Sequence, residues 1–376
     1  MATLLNLRRR SLIVGLIALA LCAIWGWFAR QQFFVSYLIA WLFFLGVALG
    51  SMVNLMVYQL TGGAWGRLLL VPLAAAMRTL PVIALLGLPL LLGLDQLYSW
   101  MRPDSGLPSE LLAQKAWYLN VPFFLLRAAL YFVVWLYLAH RMRGLMTEPQ
   151  APRLHRLSIV GLIAYALTVT FAAVDWIMSL TPQWDSTTFG LLIGVAQALA
   201  GFAAAMTAAG LLGRRGLIPD LGTPRVLQDV GNLLLMFVLT WTYLAFTQYL
   251  IIWSADLPHE IGWYLPRLHT SWYAIAWMLV VFHFALPFVI LLFRSAKRSA
   301  VWIAGLGALM LGAHWIDVVW LVAPTFRPDG LRLEWGDLLA TVGIGGIALA
   351  AALWRIEPLY ESPTRSQPLR GARQHG

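Results

Sequence analysis

The chain reads as an all-α polytopic membrane protein of about ten transmembrane helices, and three observations carry that reading. Of its 376 residues 61% are hydrophobic and only 11% are charged. The mean hydropathy is +0.76, and apolar runs repeatedly exceed the roughly 18 residues that mark a bilayer span.

Taken in order, each span is an apolar run bounded by charge or turn residues. The first, Ser11 to Ala29, lies between the Arg8–Arg10 triplet and Arg30. Phe33 to Leu60 stops before a Thr-Gly-Gly turn, and Leu68 to Leu92 starts after Arg67. Val121 to His140 ends on Arg141, and Ser158 to Leu180 runs from Arg156 to the turn TPQWD. Thr187 to Leu212 ends at the Arg214–Arg215 pair, and Gly231 to Ala255 ends at Asp256. Ser271 to Phe293 ends at Arg294, Val301 to Val322 follows Arg298, and Leu338 to Leu353 stops before Arg355.

Orientation follows from the basic residues, because positive loops are retained on the cytoplasmic side. With the N-terminus inside, eighteen of the 26 Lys and Arg fall in cytoplasmic segments and six in outer ones, while Arg78 and Arg127 lie within spans. Both termini are therefore expected in the cytoplasm. The net charge of +10 becomes a property of that face, suited to anionic lipid and giving no strip for nucleic acid. The basic, apolar start resembles a signal peptide without a small-x-small cleavage site, so it reads as an uncleaved anchor. A single cysteine, Cys22, excludes an internal disulfide or a cysteine-held iron–sulfur cluster and reads as inert filling. Residues 1–356 form one transmembrane domain. Residues 357–376, rich in Arg, Pro, Ser and Gln, read as a disordered cytoplasmic tail.

Aromatic residues gather at outer helix ends, including Trp117, Trp176, Trp184, Trp253, Trp263, Trp272, Trp320 and Trp335. They read as an interfacial belt or, in part, as a contact rim for partner subunits.

Two acids inside hydrophobic spans demand an explanation, since an ionised carboxylate in hydrocarbon is costly and functional by default. Asp175 lies about five residues from the outer end of its span, ~8 Å at the helical rise, and Asp317 is placed almost identically. His314 precedes Asp317 by three and can share a hydrogen bond with it on one helix face. His283 stands four before Pro287, whose missing N–H leaves the His283 carbonyl without its helical partner. Arg78 is followed by Pro81 and reads as a site residue or as the ion-pair partner of a buried acid, whereas Arg127 reads more readily as a snorkelling arginine. Gln248 is interhelical glue or a site member. The outer loops add Asp185, Asp256, His259, Glu260 and Arg267. A bis-histidine haem has only His283 and His314 to use, at depths that differ by about 6 Å, and there is no CxxCH, Gly-rich phosphate loop or HExxH. No redox cofactor bound by this chain is expected. Asp175 and Asp317 sit four helices apart, each before a Pro-bearing turn. This suggests two four-helix bundles, helices 2–5 and 6–9, with helices 1 and 10 peripheral.

The blocks DWIMSLTPQWDSTTFG, FTQYLIIWSADLPHEIGWYLPR, FHFALPFVILLFRSAKR and HWIDVVWLVAPTF, in this order, resemble the F-type membrane subunit of bacterial alternative complex III, a quinol:cytochrome c oxidoreductase. The resemblance covers about Asp175 to Phe326. It implies an inner-membrane subunit that is not catalytic alone, working beside a quinone-site membrane subunit, a multihaem cytochrome c and an iron–sulfur protein that hold the haem and clusters. It further implies a proton path and quinol or quinone contact near the periplasmic side. Asp175 and Asp317 would be proton-handling acids, His314 a relay or hydrogen-bond partner, and the LPHEIGWYLPR loop, with Glu260 and Arg267, an outer contact or gate. Two readings from other classes compete: an ion-coupled secondary transporter, and a scaffold whose buried acids are locked in salt bridges to Arg78 and Arg127.

Overall fold

In a computed structural model the chain is described over residues 2–102, 106–146, 152–215 and 223–361, and among these residues there is helix and no strand. Ten helices are long and apolar enough to cross a membrane: α1 (Leu4–Phe28), α2 (Arg30–Thr61), α3 (Ala64–Leu97), α4 (Val121–Gly144), α5 (Pro152–Leu180), α6 (Phe189–Arg214), α7 (Pro224–Ala255), α8 (Tyr273–Leu292), α9 (Ala300–Phe326) and α10 (Trp335–Ile356). The last helix continues through Glu361, so the residues read as a tail begin in helical backbone. Residues 362–376 lie outside those described.

Helix ends reach beyond the apolar runs because caps sit in the polar boundary. Thr223 caps α7 by accepting from the Val226 N–H, eight residues before the apolar run starts, and Asn120 caps α4 by accepting from Phe123. Such side chains satisfy N–H groups that no preceding turn can.

Two helices form the middle of the molecule. In the apolar windows of α2 and α6, 83% and 78% of residues are buried, against 22% for α1 and 28% for α4, α7 and α8. Helix α2 packs on α3 and α5, and α4 packs on α3 and α5; α6 packs on α7 and α9, and α8 packs on α7 and α9. The groups 2–5 and 6–9 are not separate bundles, however: α6 packs on α2, α3 and α5 as well, and α9 on α2, with the main seam between α2 and α6. At that seam a Cβ on Gly50 would stand 1.6 Å from the Gln197 carbonyl oxygen, and one on Gly201 would stand 2.2 Å from the Ser51 nitrogen. Small residues allow such backbone contact, which supplies the packing energy that lipid does not. Asn54 ties the seam by donating to the carbonyls of Gly50 and Ala198 at 2.8 Å each. The pair α1 and α10 packs on itself through Gly15, Gly343 and Gly346, and α10 also rests on α2 and α3. Helix α10 is less peripheral than expected, because Asp337 in its first turn is wholly buried.

Candidate functional site

Asp175, near the C-terminal end of α5, meets Arg127 of α4 in a two-pronged ion pair. Arg127 donates from Nε at 2.8 Å and from Nη2 at 2.7 Å to the two carboxylate oxygens. Tyr131, one helical turn from Arg127, donates its hydroxyl to the same carboxylate at 2.7 Å. The guanidinium also donates to the Tyr118 carbonyl at 3.0 Å and lies over the Tyr118 and Phe123 rings. Asp175 is 0% and Arg127 6% exposed, so Arg127 does not snorkel to water; it neutralises the acid in place. Burial and the Asp175 charge together hold the Tyr118 phenol above its ordinary range. Beside this pair an open apolar groove of about 670 Å³ runs between α2, α3, α4 and α5, lined by Trp41, Leu88, Tyr98, Phe124, Phe132 and Trp176 among others.

Asp317 is differently placed. Helix α9 continues to Phe326, so Asp317 lies nine residues before its C-terminal end, whereas Asp175 lies five before Leu180. That corrects the near-identical depths expected from the apolar runs. Asp317 is buried, and among the described residues neither Arg78 nor any other cation pairs with it. The indole N–H of Trp241, on α7, faces its carboxylate without closing to hydrogen-bond geometry. The Trp241 ring in turn meets His283 of α8 edge to face, with centroids 3.8 Å apart.

The hydrogen bond expected between His314 and Asp317 is not formed: both His314 ring nitrogens lack a partner. The imidazole instead leans on α2, tilted against Phe43, with Nε2 3.3 Å from where a Gly46 Cβ would be. Both nitrogens of His283 are equally unpartnered, and His283 is 0% exposed and His314 4%. Around His283 the backbone is a π-helix, Leu279–Ala285. Wider turns of this kind absorb a helix defect and recur at functional sites, and here Pro287 supplies the defect. Helices α7, α8 and α9 therefore gather one acid, two imidazoles and an indole N–H whose hydrogen-bonding capacity is unspent. Buried polar atoms are normally paired; among the described residues Arg78, Trp100, Tyr118 and Trp184 also carry such an atom, but Trp241, His283 and His314 carry five. Trp241 was absent from the sequence-derived candidates; an indole about three helical turns into an apolar run gives no signal until its neighbours are known.

The loop after α7 packs inward. Arg267 is 2% exposed, lies over the Trp263 ring at 3.5 Å, and donates to the carbonyls of Trp263 at 2.6 Å, Trp320 at 3.2 Å and Leu321 at 3.1 Å. Pro324 has no N–H to give the Trp320 carbonyl, and Arg267 fills that vacancy at the negative end of α9. Burial pushes this guanidinium down to about 9 and the Tyr264 phenol up to about 12. Gln248 donates weakly to Tyr264 and accepts weakly from Ser186, both at 3.4 Å. Trp184 stacks on Trp263 with centroids 4.7 Å apart. Thus Trp176, Trp184, Trp263, Trp272 and Trp320 are core, while Trp117, Trp253 and Trp335 are exposed; only part of the aromatic rim is free to meet a headgroup or partner. Asp185 is exposed and Glu260 half-buried. Asp256 holds the left-handed C-cap of α7 at φ 49. The side chain of His259 lies outside those described.

A second buried ion pair was not read from the sequence. Arg327 donates to Asp337 at 2.7 and 3.0 Å, to Gln32 at 3.0 Å and to the Arg332 carbonyl at 2.8 Å, and Ser36 donates to Asp337 at 2.6 Å. It joins the α9–α10 turn to the start of α2. Arg78 is half-buried, has an unpartnered Nε, and pairs with neither interior acid among the described residues. No group of three or more His, Cys, Asp and Glu that could hold a metal occurs among the described residues. Compared with known proteins, the chain matches no protein-family model, and no curated protein is found to match it.

Proposed function

We propose that this chain is an integral membrane subunit of a respiratory quinol:cytochrome c oxidoreductase of the alternative complex III type, contributing a proton path and, beside it, a place for quinol or quinone. The observation that carries the reading is Asp317: a carboxylate inside the bundle, unpaired by any described cation, with His283, His314 and the Trp241 N–H close by and unsaturated. An acid that must exchange protons has to be free of a permanent counter-ion, and neighbouring imidazoles supply the next donors and acceptors. The motif resemblance from Asp175 to Phe326 supplies the class of complex. Quinol oxidation releases protons, and acids in the outer half of the bundle are placed to receive them. The apolar groove beside Trp176 and Tyr98 suits a quinol's isoprenoid chain. In this reading the haem and iron–sulfur clusters sit in partner subunits, and the chain turns over nothing alone.

The ion pair at Asp175 favours a different role for that acid. Fully engaged by Arg127 and Tyr131, it supports the scaffold reading for the first bundle and a fixed charge near the groove rather than a mobile proton.

Purification from its native membrane in mild detergent tests the class: co-elution with a multihaem cytochrome and an iron–sulfur protein, with quinol-dependent cytochrome c reduction, is the expected outcome. A monodisperse lone chain that carries an ion or solute across liposomes would replace this reading with a carrier. Within the complex, Asp317→Asn should lower turnover or its proton release at least tenfold while assembly is preserved.

A further inference from the structure

Helix α7 is the least hydrophobic of the ten spans, yet only 28% of its apolar window is buried; α8, buried to the same extent, is the most hydrophobic. That is the reverse of what lipid asks of a helix that faces it, because hydrocarbon satisfies no polar group. The outward face of α7 presents Met236, Leu239, Tyr243, Phe246, Leu250 and Trp253, all exposed. They advance by three and four residues and so form a stripe one helix wide. Thr240 and Thr247, half-buried, flank Tyr243 at the same spacing.

Tyr243 is the anomaly of this face. It is 67% exposed and stands twelve residues from both Gly231 and Ala255, the ends of the apolar run, which is ~18 Å at the helical rise. Half of a hydrocarbon core is ~15 Å, so the phenol lies near mid-bilayer and far from the headgroup zone that tyrosines favour. Tyr137 on α4, also exposed, is only four residues from Arg141 and reaches that zone. The hydroxyls of Thr240 and Thr242 return to the carbonyls of Met236 and Val238 at 2.8 Å each. Those of Tyr243 and Thr247 form no hydrogen bond among the described residues, and acyl chains offer them no partner.

We infer that the outward face of α7, from Met236 to Trp253, is covered by a transmembrane helix of another subunit, which sets a hydrogen-bonding side chain opposite Tyr243 and Thr247. This rests on the subunit reading above. Hydroxyls bonded across helices are a common glue inside membranes, and small residues let the two backbones approach closely enough to form such bonds. The six stripe residues include no glycine, alanine or serine, so the small residues have to come from the partner. A second copy of this stripe would meet it bulk against bulk, Tyr243 on Tyr243, and hold the helices apart.

The test places the photo-reactive residue p-benzoylphenylalanine at position 243 of the full chain, irradiates native membranes before solubilisation, and maps the adducts by mass spectrometry. The expected product is a link to the middle of a transmembrane segment of another protein that copurifies with the chain, a segment with small residues and a polar side chain at that depth. Lipid adducts alone, with other subunits still copurifying, would overturn the inference and leave the subunit reading standing. Lipid adducts on a chain that purifies alone would overturn both, and a link to α7 of a second copy would replace the partner with a homodimer. A hydrogen bond between helices in a bilayer is worth about threefold in affinity, so Y243F/T247V should speed loss of the linked subunit during detergent washing by about tenfold. The melting temperature of the chain should not change, which separates lost docking from lost fold. Tyr137→Phe should leave retention as it is; equal loss there, or no loss in the double variant, would sink the assignment.

Discussion

At the scale of single residues, the two interior acids separate by what each would lose. Removing one member of a buried ion pair leaves the other charge stranded, at a cost of about 3–5 kcal/mol. Asp175→Asn and Arg127→Ala should therefore both lower the melting temperature of the detergent-solubilised protein substantially, with the double variant less damaged than the sum of the two because the stranded charge is gone. Asp317→Asn removes a charge that no described cation compensates, so its melting temperature should hold or rise while activity falls. Equal destabilisation at the two sites, measured by scanning fluorimetry, would contradict the division between an anchored acid and a working one. The sequence already singled out Asp175, Asp317, His283 and His314, because polar atoms in hydrocarbon announce themselves. Partners were harder to read: Arg127 is 48 residues from Asp175, and no local pattern tells a snorkelling arginine from a paired one. Asp337 and Arg327 went unread for the opposite reason. They stand at helix ends, where charge is ordinary, and only the fold turns both inward.

At the scale of elements, proline breaks govern the polar geometry. The break expected at His283 is real and takes the form of a π-helix, a form that periodicity does not predict. On α9 the break at Pro324 exposes the Trp320 carbonyl to Arg267. An LPHEIGWYLPR loop read as an outer contact is in this respect a clamp on the end of α9. Arg267→Lys keeps the charge but loses the planar fork that reaches three carbonyls, and hydrogen bonds from a charged donor are worth roughly 1.5–3 kcal/mol. Loss of stability in that range is expected. Pro324→Ala returns an N–H to the Trp320 carbonyl, so in its background Arg267→Lys should cost less, with a coupling of about 1 kcal/mol between the two changes. Additive effects in a thermal double-mutant cycle would show that Arg267 acts through its stack on Trp263 alone.

At the scale of the whole molecule, hydropathy and boundary charges were enough to place ten spans, since the bilayer dictates both length and composition. The seam was not legible that way. Glycines at positions 50, 201, 305 and 312 look alike in an apolar helix, and only the close crossing of α2 and α6 tells them apart. A methyl group on Gly50 would meet the Gln197 carbonyl at 1.6 Å, and one on Gly201 would meet backbone at 2.2 Å, whereas nothing lies within 4 Å of Gly305 or Gly312. Backbone cannot yield as a flexible side chain can, so Gly50→Ala must part the two helices, breaking the Asn54 bridge to Ala198 and loosening the joint between the bundles. The same change at 305 or 312 meets open space and gains helix propensity of roughly 0.8–1.0 kcal/mol. Gly50→Ala should therefore lose folded protein on size-exclusion chromatography, and Gly305→Ala should be at least as stable as the parent. If Gly50→Ala proved as stable as Gly305→Ala, the bundles could not be joined through α2 and α6 at this distance, and the placement of His314 against Gly46, one turn along the same helix, would fall with it.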